Sequence, residues 1–264
     1  MAGVAAVPLL VFRSAGTIAL KSLAKRLVPQ VFYRPLLRRL RAPPQIRWGS
    51  LRSTRPVSRI FGLDRGSPID RYYIERFLGE NAQDIGGRVL EIAENTYTRR
   101  FGAQRVTQSD VLHAVDGNPA ATLVADLTIE NSIPGGAFDC IILTQTLPFI
   151  YDVRAALRNL ERALKAGGVL LATFPGISQI SRYDMDRWGD YWRFTSASAR
   201  RLFEELWAPE HIAMEVHGNV LIATAYLQGL AREDLHEHEL QYTDEDYPVL
   251  ITVRVQKPHP ADPR

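Results

Sequence analysis

Between residues 88 and 176, short apolar runs alternate with helical stretches, and this alternation is what most restricts the fold. "RVLEIA" (88–93), "QRVTQSDVL" (104–112), "ATLVADL" (121–127), "FDCIILTQTL" (138–147) and "VLLATFPG" (169–176) read as five strands. They are too short for helices and several are apolar on both alternating faces. Such strands suit a sheet covered on both sides. "IAMEVHG" (212–218) and "PVLITVRVQK" (248–257) read as a sixth and a final strand. Helices are expected from Pro68 to the Gly86–Gly87 pair, over 152–168 with a stop at Gly167 and Gly168, over 195–207 behind a Thr195 or Ser196 cap, and over 219–235. The expected fold is α/β, a doubly wound, mainly parallel seven-stranded sheet with helices on both faces.

Charge divides the chain. Residues 1–63 hold 12 Lys or Arg and no acid, so the remainder carries 32 − 12 = 20 basic against 29 acidic residues, a net of −9. The first part is not a polar tail. Ile18, Leu20, Leu23, Leu27, Val31, Leu36 and Leu40 recur among Lys21, Lys25, Arg26, Arg34, Arg38 and Arg39, with Pro29 and Pro35 interrupting. Residues 1–63 are expected to form a basic amphipathic helical extension and linker, and 64–264 the main domain. Such an arm suits its own acidic domain, a second copy in a homodimer, a partner enzyme or the surface of an anionic membrane. Nucleic acid is the least favoured partner. No run of 18 apolar residues is present, so no transmembrane helix is expected, and a cytoplasmic protein, peripheral at most to a membrane, fits. The single cysteine, Cys140, lies in an apolar run and reads as a small buried residue. No histidine pair has a spacing that argues for a metal site.

Three strands end in or near acids: Glu91, Asp110 and Asp126. Glu91 and Asp110 are 19 residues apart, the spacing at which a carboxylate meets a ribose diol in doubly wound folds. This ordered set points to a nucleoside site at the carboxyl ends of the strands.

With "RVLEIA", "SDVL", "VADL", "FDCIILTQTLPFIYD", "ALKAGGVLLATFPG" and "YPVLITVRVQK" in this order, residues 64 to 258 resemble the class I, Rossmann-like S-adenosylmethionine-dependent methyltransferases of the type 11 branch. The resemblance implies an antiparallel last strand and S-adenosylmethionine as cofactor. It implies Glu91 beneath the methionine end, Asp110 on the ribose, and Asp126 with Leu127 at the adenine. It places Thr144 and Gln145 between cofactor and acceptor, and Tyr72 on a lid helix. The family's E-x-G-x-G-x-G loop is altered here. Its glycine positions fall on Ala93, Asn95 and Tyr97. Asn95 tolerates a left-handed backbone, Tyr97 is a bulky change, and Arg99 or Arg100 would compensate by pairing with the methionine carboxylate.

The second informative block is "RYDMDRWGDYWRFT", from Arg182 to Thr195. Tyr191, Trp192 and Arg193 read as acceptor-binding groups suited to stacking on a sugar or ring. Asp190 and His217 are the candidate bases. The expected activity is methyl transfer to an oxygen or nitrogen of a small molecule or glycan-type acceptor. The alternative is a non-catalytic methyltransferase-like module that binds a partner protein.

Overall fold

A computed structural model describes residues 49–259 of the 264. The basic helix expected over 16–40 lies outside the described residues. The chain divides into two compact units, Met1–Arg52 and Ser53–Arg264. Of the first, a 3-10 turn at Gly49–Leu51 is described.

The second unit is built on a seven-stranded sheet of order β3-β2-β1-β4-β5-β7-β6. Its strands are β1 (Gly87–Ile92), β2 (Val106–His113), β3 (Leu123–Val124), β4 (Phe138–Thr144), β5 (Leu164–Pro175), β6 (Ile212–His217) and β7 (Leu250–Gln256). β1 to β5 pair in parallel, and β7 runs antiparallel between β5 and β6. This is the doubly wound arrangement expected, with the last strand antiparallel as the resemblance implied.

The period of two in the strands explains the layers. Leu90, Ile141, Leu143, Leu170, Ala172 and Val253 face one core, with Val153, Leu157 and Leu160 of α2 (Val153–Ala163) and Leu202 and Phe203 of α4 (Ser196–Glu204). Val89, Cys140, Ile142, Val169 and Leu171 face the other, with Ile69, Tyr73 and Phe77 of α1 (Ile69–Glu80) and Ile222 and Tyr226 of α5 (Val220–Gln228). Between α2 and α4 lies a four-residue helical turn, α3 (Arg182–Met185), and after α5 a short α6 (Glu237–Gln241). Cys140 is fully buried, and burial pushes its thiol up.

Several element ends differ from the sequence expectation. α2 stops at Ala163 and not at the glycine pair, because Leu164 already pairs with Phe138. A register shift then lets Lys165–Gly168 loop out before Cys140 meets Val169. α5 stops at Gln228 and not near 235, because Gly229 turns left-handed (φ 69°) and caps it with bonds to the Ala225 and Tyr226 carbonyls. A Cβ at Gly229 would also run into the Ser58 carbonyl oxygen. The third strand is reduced to two residues. Residues 53–63, read as linker, belong to the compact unit: the Val57 and Ser58 amides donate to the Gln228 carbonyl at 2.8 and 3.1 Å. No helix among the described residues is long and apolar enough to cross a membrane.

Candidate active site

Strand order reverses between β1 and β4, and two cavities open beyond the carboxyl ends there. The larger, about 480 Å³, is lined by Ile92 and Ala93 at the end of β1, His113 and Ala114 at the end of β2, Asp126 and Leu127 after β3, and Tyr151, Trp188 and Tyr191. The smaller, about 300 Å³, is lined by Asp70, Arg71, Glu94, Tyr97, Asp190, Arg193 and Tyr226. Thr144, Gln145, Phe149 and Asp184 line both, so the two chambers share a wall at the end of β4.

The loop after β1 is held by Glu91. Its buried carboxylate accepts from the Thr98 amide and hydroxyl, both at 2.7 Å, and from the Tyr97 amide at 3.2 Å. Burial raises its pKa, while these donors act in the opposite sense. The left-handed backbone falls on Ala93 (φ 68°), and Asn95 instead donates its side-chain amide to Ser109 at 3.0 Å. Gln145, at the end of β4, is also left-handed (φ 49°). An L-residue in that region costs roughly 1–2 kcal/mol, and both strained residues face the larger chamber. Tyr97 lines the smaller chamber, with burial pushing its phenol up to about 12. Arg99 and Arg100 line neither chamber, and Arg100 pairs with Glu75 of α1 at 2.7 Å. Arg71 lines the smaller chamber and forms no ion pair among the described residues.

Four expectations are corrected by this geometry. Asp110 is not at the mouth of the sheet. It sits level with Leu90 inside β2, which continues to His113. Its carboxylate pairs with Arg88 at 2.7 Å and accepts from the Thr122 hydroxyl at 2.9 Å. Tyr72 lines neither chamber, and its hydroxyl donates to Glu237 at 2.6 Å. His217 is buried between Tyr73, on which it stacks at 5.3 Å, and Thr252, 3.0 Å from its Nε2. It lines neither chamber, and burial holds its imidazole down to about 4, so it has no access to an acceptor. Asp190 does line the smaller chamber, but Arg193 clamps it through two bonds of 2.6 and 2.9 Å, which suits a strut and not a base.

Asp126, Leu127, Thr144, Gln145, Ala93 and Tyr191 all line the larger chamber. Asp126 also accepts from the Thr128 amide and hydroxyl at 2.7 and 2.8 Å, which orders the turn after β3. Trp192 lies outside both chambers, against Tyr151.

Residues that sequence reasoning did not single out complete the site. Asp70, in the first turn of α1, accepts from Gln145 Nε2 at 3.1 Å and is bonded to the buried Tyr226 hydroxyl. Burial raises the Asp70 pKa, with Tyr226, the Arg71 amide and Gln145 partly offsetting it. Burial also raises the Tyr226 phenol well above its ordinary value. His113 closes β2, with its ring 5.8 Å from Trp188. The sequence signal for His113 was the strand end itself. Asp70 stood only as part of the lid helix that the resemblance implied, and Tyr226 had no signal, since their meeting is made by the packing of α1 and α5.

Residues 81–172 match the family model described as a methyltransferase domain, Methyltransf_11. The match spans β1 to β4 and most of β5, the parallel part of the sheet. The chain is similar to solved structures at low identity. A SAM-dependent methyltransferase from Archaeoglobus fulgidus is 12% identical, covering 71% of this chain and 94% of that one, with TM-score 0.48. An S-adenosylmethionine-dependent methyltransferase from Mesorhizobium loti is 16% identical, covering 74% and 100%, with TM-score 0.46. Phosphoethanolamine N-methyltransferase 2 from Haemonchus contortus, in complex with S-adenosyl-L-methionine, is 17% identical, covering 76% and 60%, with TM-score 0.46. No curated protein matches the sequence.

Proposed function

We propose that the protein transfers a methyl group from S-adenosylmethionine to an oxygen or nitrogen of a small molecule or glycan-type acceptor. The observation that carries this reading is the shared wall: two chambers meet at Thr144 and Gln145, where the switch point of the sheet lies. The larger chamber fits the cofactor in volume, in the turned backbone at Ala93, and in its donor and acceptor set. Asp126 would accept from the adenine amino group, beside Leu127. His113 would stand at the ribose in place of an acid. Arg71, which lines the smaller chamber next to Asp70 at the shared wall and has no ion pair among the described residues, would hold the methionine carboxylate, a role that Arg99 and Arg100 are not placed to take.

When bound, the cofactor supplies an activated methyl on a sulfonium. The chain then has to align the acceptor, exclude water and take one proton. Asp70 is the group suited to that last task. It faces the smaller chamber, and its raised pKa makes its carboxylate a stronger base than an exposed one. Gln145 and Tyr226 hold the carboxylate in place.

The rival reading, a non-catalytic module that binds a partner protein, draws on the loop after β1. Tyr97, at a glycine position of the family loop, and Glu94, a negative charge near where the methionine carboxylate would lie, border the smaller chamber. Calorimetric titration with S-adenosylmethionine and its demethylated product separates the two. Binding with a dissociation constant between about 1 µM and 1 mM is expected, the range in which enzymes hold their substrates. Asp126→Ala should weaken it by about tenfold, the loss of a hydrogen bond to a charged group. No detectable heat at millimolar ligand, from a folded protein, would leave only the partner-binding reading.

A further inference from the structure

At the rim of the larger chamber, and running on beyond it, lies an exposed aromatic surface. Tyr151 is 70% exposed, Tyr191 49% and Trp192 36%. Tyr151 stacks beside Trp192 with centroids 5.8 Å apart and planes at 29°, and Tyr191 meets Tyr151 edge-on at 5.4 Å. The surface is rigid. Trp192 Nε1 donates to the Ile150 and Tyr151 carbonyls at 3.1 and 3.3 Å, and the Tyr191 amide donates to the Pro148 carbonyl at 2.8 Å. These bonds tie the segment after β4 to the insert after β5. Trp192 and Tyr191 on tied segments, with the Tyr151 ring packed against both and all three left in water, are a prepared contact.

The ground around the rings narrows what would sit there. A third cavity, about 410 Å³, opens against Tyr151 and Trp192 and carries Asp152, Arg154, Ser198 and Arg201. Its lining holds Arg154, Arg193 and Arg201 with Asp152, and two of these three cations are already engaged in ion pairs, Arg154 with Glu205 at 2.8 Å and Arg193 with Asp190 at 2.6 Å. A polyanion needs several free cations, and this pairing leaves Arg201, on a wall shared with the Asp152 carboxylate, as the one without an ion pair among the described residues. A neutral ligand with one apolar face and a rim of hydroxyls meets both features. The ring hydrogens of a pyranose lie over the electron-rich face of an aromatic ring, and its hydroxyls reach the polar groups beside it. Arg193 lines both this cavity and the smaller chamber, so a ligand here would be continuous with the acceptor side of the transfer site.

We propose that Tyr151 and Trp192 form a subsite for a neutral hexopyranose ring that flanks the methylated unit of an oligosaccharide acceptor. This rests on the reading that methyl transfer takes place in the adjoining chambers. The test is titration of the full chain with neutral tetrasaccharides of glucose, mannose, galactose and N-acetylglucosamine, followed by the indole Nε1–H resonance of Trp192. S-adenosylmethionine is titrated separately. At least one sugar should shift that resonance. Tyr151→Ala, followed by the same resonance, and Trp192→Ala, followed by calorimetry, should each weaken its binding by about tenfold, as loss of a stacking anchor does. Tyr151 is mostly exposed and its side chain makes no hydrogen bond among the described residues, so its alanine variant tests the contact without unfolding the site. S-adenosylmethionine binding with no sugar shifting Trp192 would overturn the subsite and leave methyl transfer standing. Sugar binding without S-adenosylmethionine binding would remove the transfer reading instead. Trp192 responding to a polyproline peptide and to none of the sugars would assign the surface to protein and overturn the proposal.

Discussion

The Asp110 carboxylate is held by Arg88, Thr122 and Gln108, and that bonding sets what its loss would do. Burial alone would raise its pKa. The Arg88 guanidinium and the Thr122 and Gln108 donors more than offset this and hold it below the usual value. Asp110→Asn would leave the Arg88 charge half-covered without its partner, and should cost about 2 kcal/mol in urea unfolding, less than a fully buried pair because water still reaches Arg88. The sign with pH follows. The folded group binds its proton more weakly than the unfolded one, so the pair stabilises fully above the unfolded value near 4 and ceases to as pH falls through the lower folded value. The gap between wild type and variant should therefore close below pH ~4. Affinity for S-adenosylmethionine should stay within about threefold, under 1 kcal/mol. A tenfold loss would return Asp110 to the cofactor site. The 19-residue spacing from Glu91 misled because β2 runs three residues past Asp110, and only the register of β2 on β1 reveals that.

At the scale of elements, the sequence was most legible where apolar runs had to serve two cores. Val89 and Leu90, or Ile141 and Ile142, cannot both be buried unless helices cover both faces of the sheet. Element ends were less legible. Leu164 fits the helical stripe of α2 equally well, and only its pairing with Phe138 makes it strand. α5 shows how much an end can matter. Asn219 caps it through the Leu221 and Ile222 amides, at 3.0 and 3.1 Å, and its own amide donates to the Glu239 and Tyr242 carbonyls, both at 2.8 Å. One buried side chain thus fixes the helix and the segment that follows α6. Asn219→Ala should cost about 2–3 kcal/mol, a lost cap plus two buried carbonyls left without donors. Because α5 carries Tyr226, Asp70 should then titrate differently, which carboxyl ¹³C shifts would follow. A loss under 0.5 kcal/mol, the usual limit for a surface change, would show that water replaces Asn219 without penalty.

For the whole molecule, the order β3-β2-β1-β4-β5-β7-β6 decides where chemistry is placed. Loops that are far apart in sequence meet at one end of the sheet because parallel strands all deliver their carboxyl ends there. β7, running the other way, closes the sheet beside β5 and adds no residue to either chamber. The acidic majority of the chain and the basic arm differ in charge, yet the chambers draw on the compact unit alone. A cofactor bound at the switch point should therefore leave a footprint that is discontinuous in sequence and compact in space. On adding S-adenosylmethionine, amide hydrogen exchange should slow at residues 93–97, 113–114, 125–128, 144–151 and 184–191, and stay unchanged in α4 and β6. At about 100 times the dissociation constant, openings that release the ligand should become roughly 100-fold rarer. Protection confined to the insert, with 93–97 and 125–128 untouched, would mean that the ligand sits on the aromatic surface and that the loop after β1 has no part in holding it.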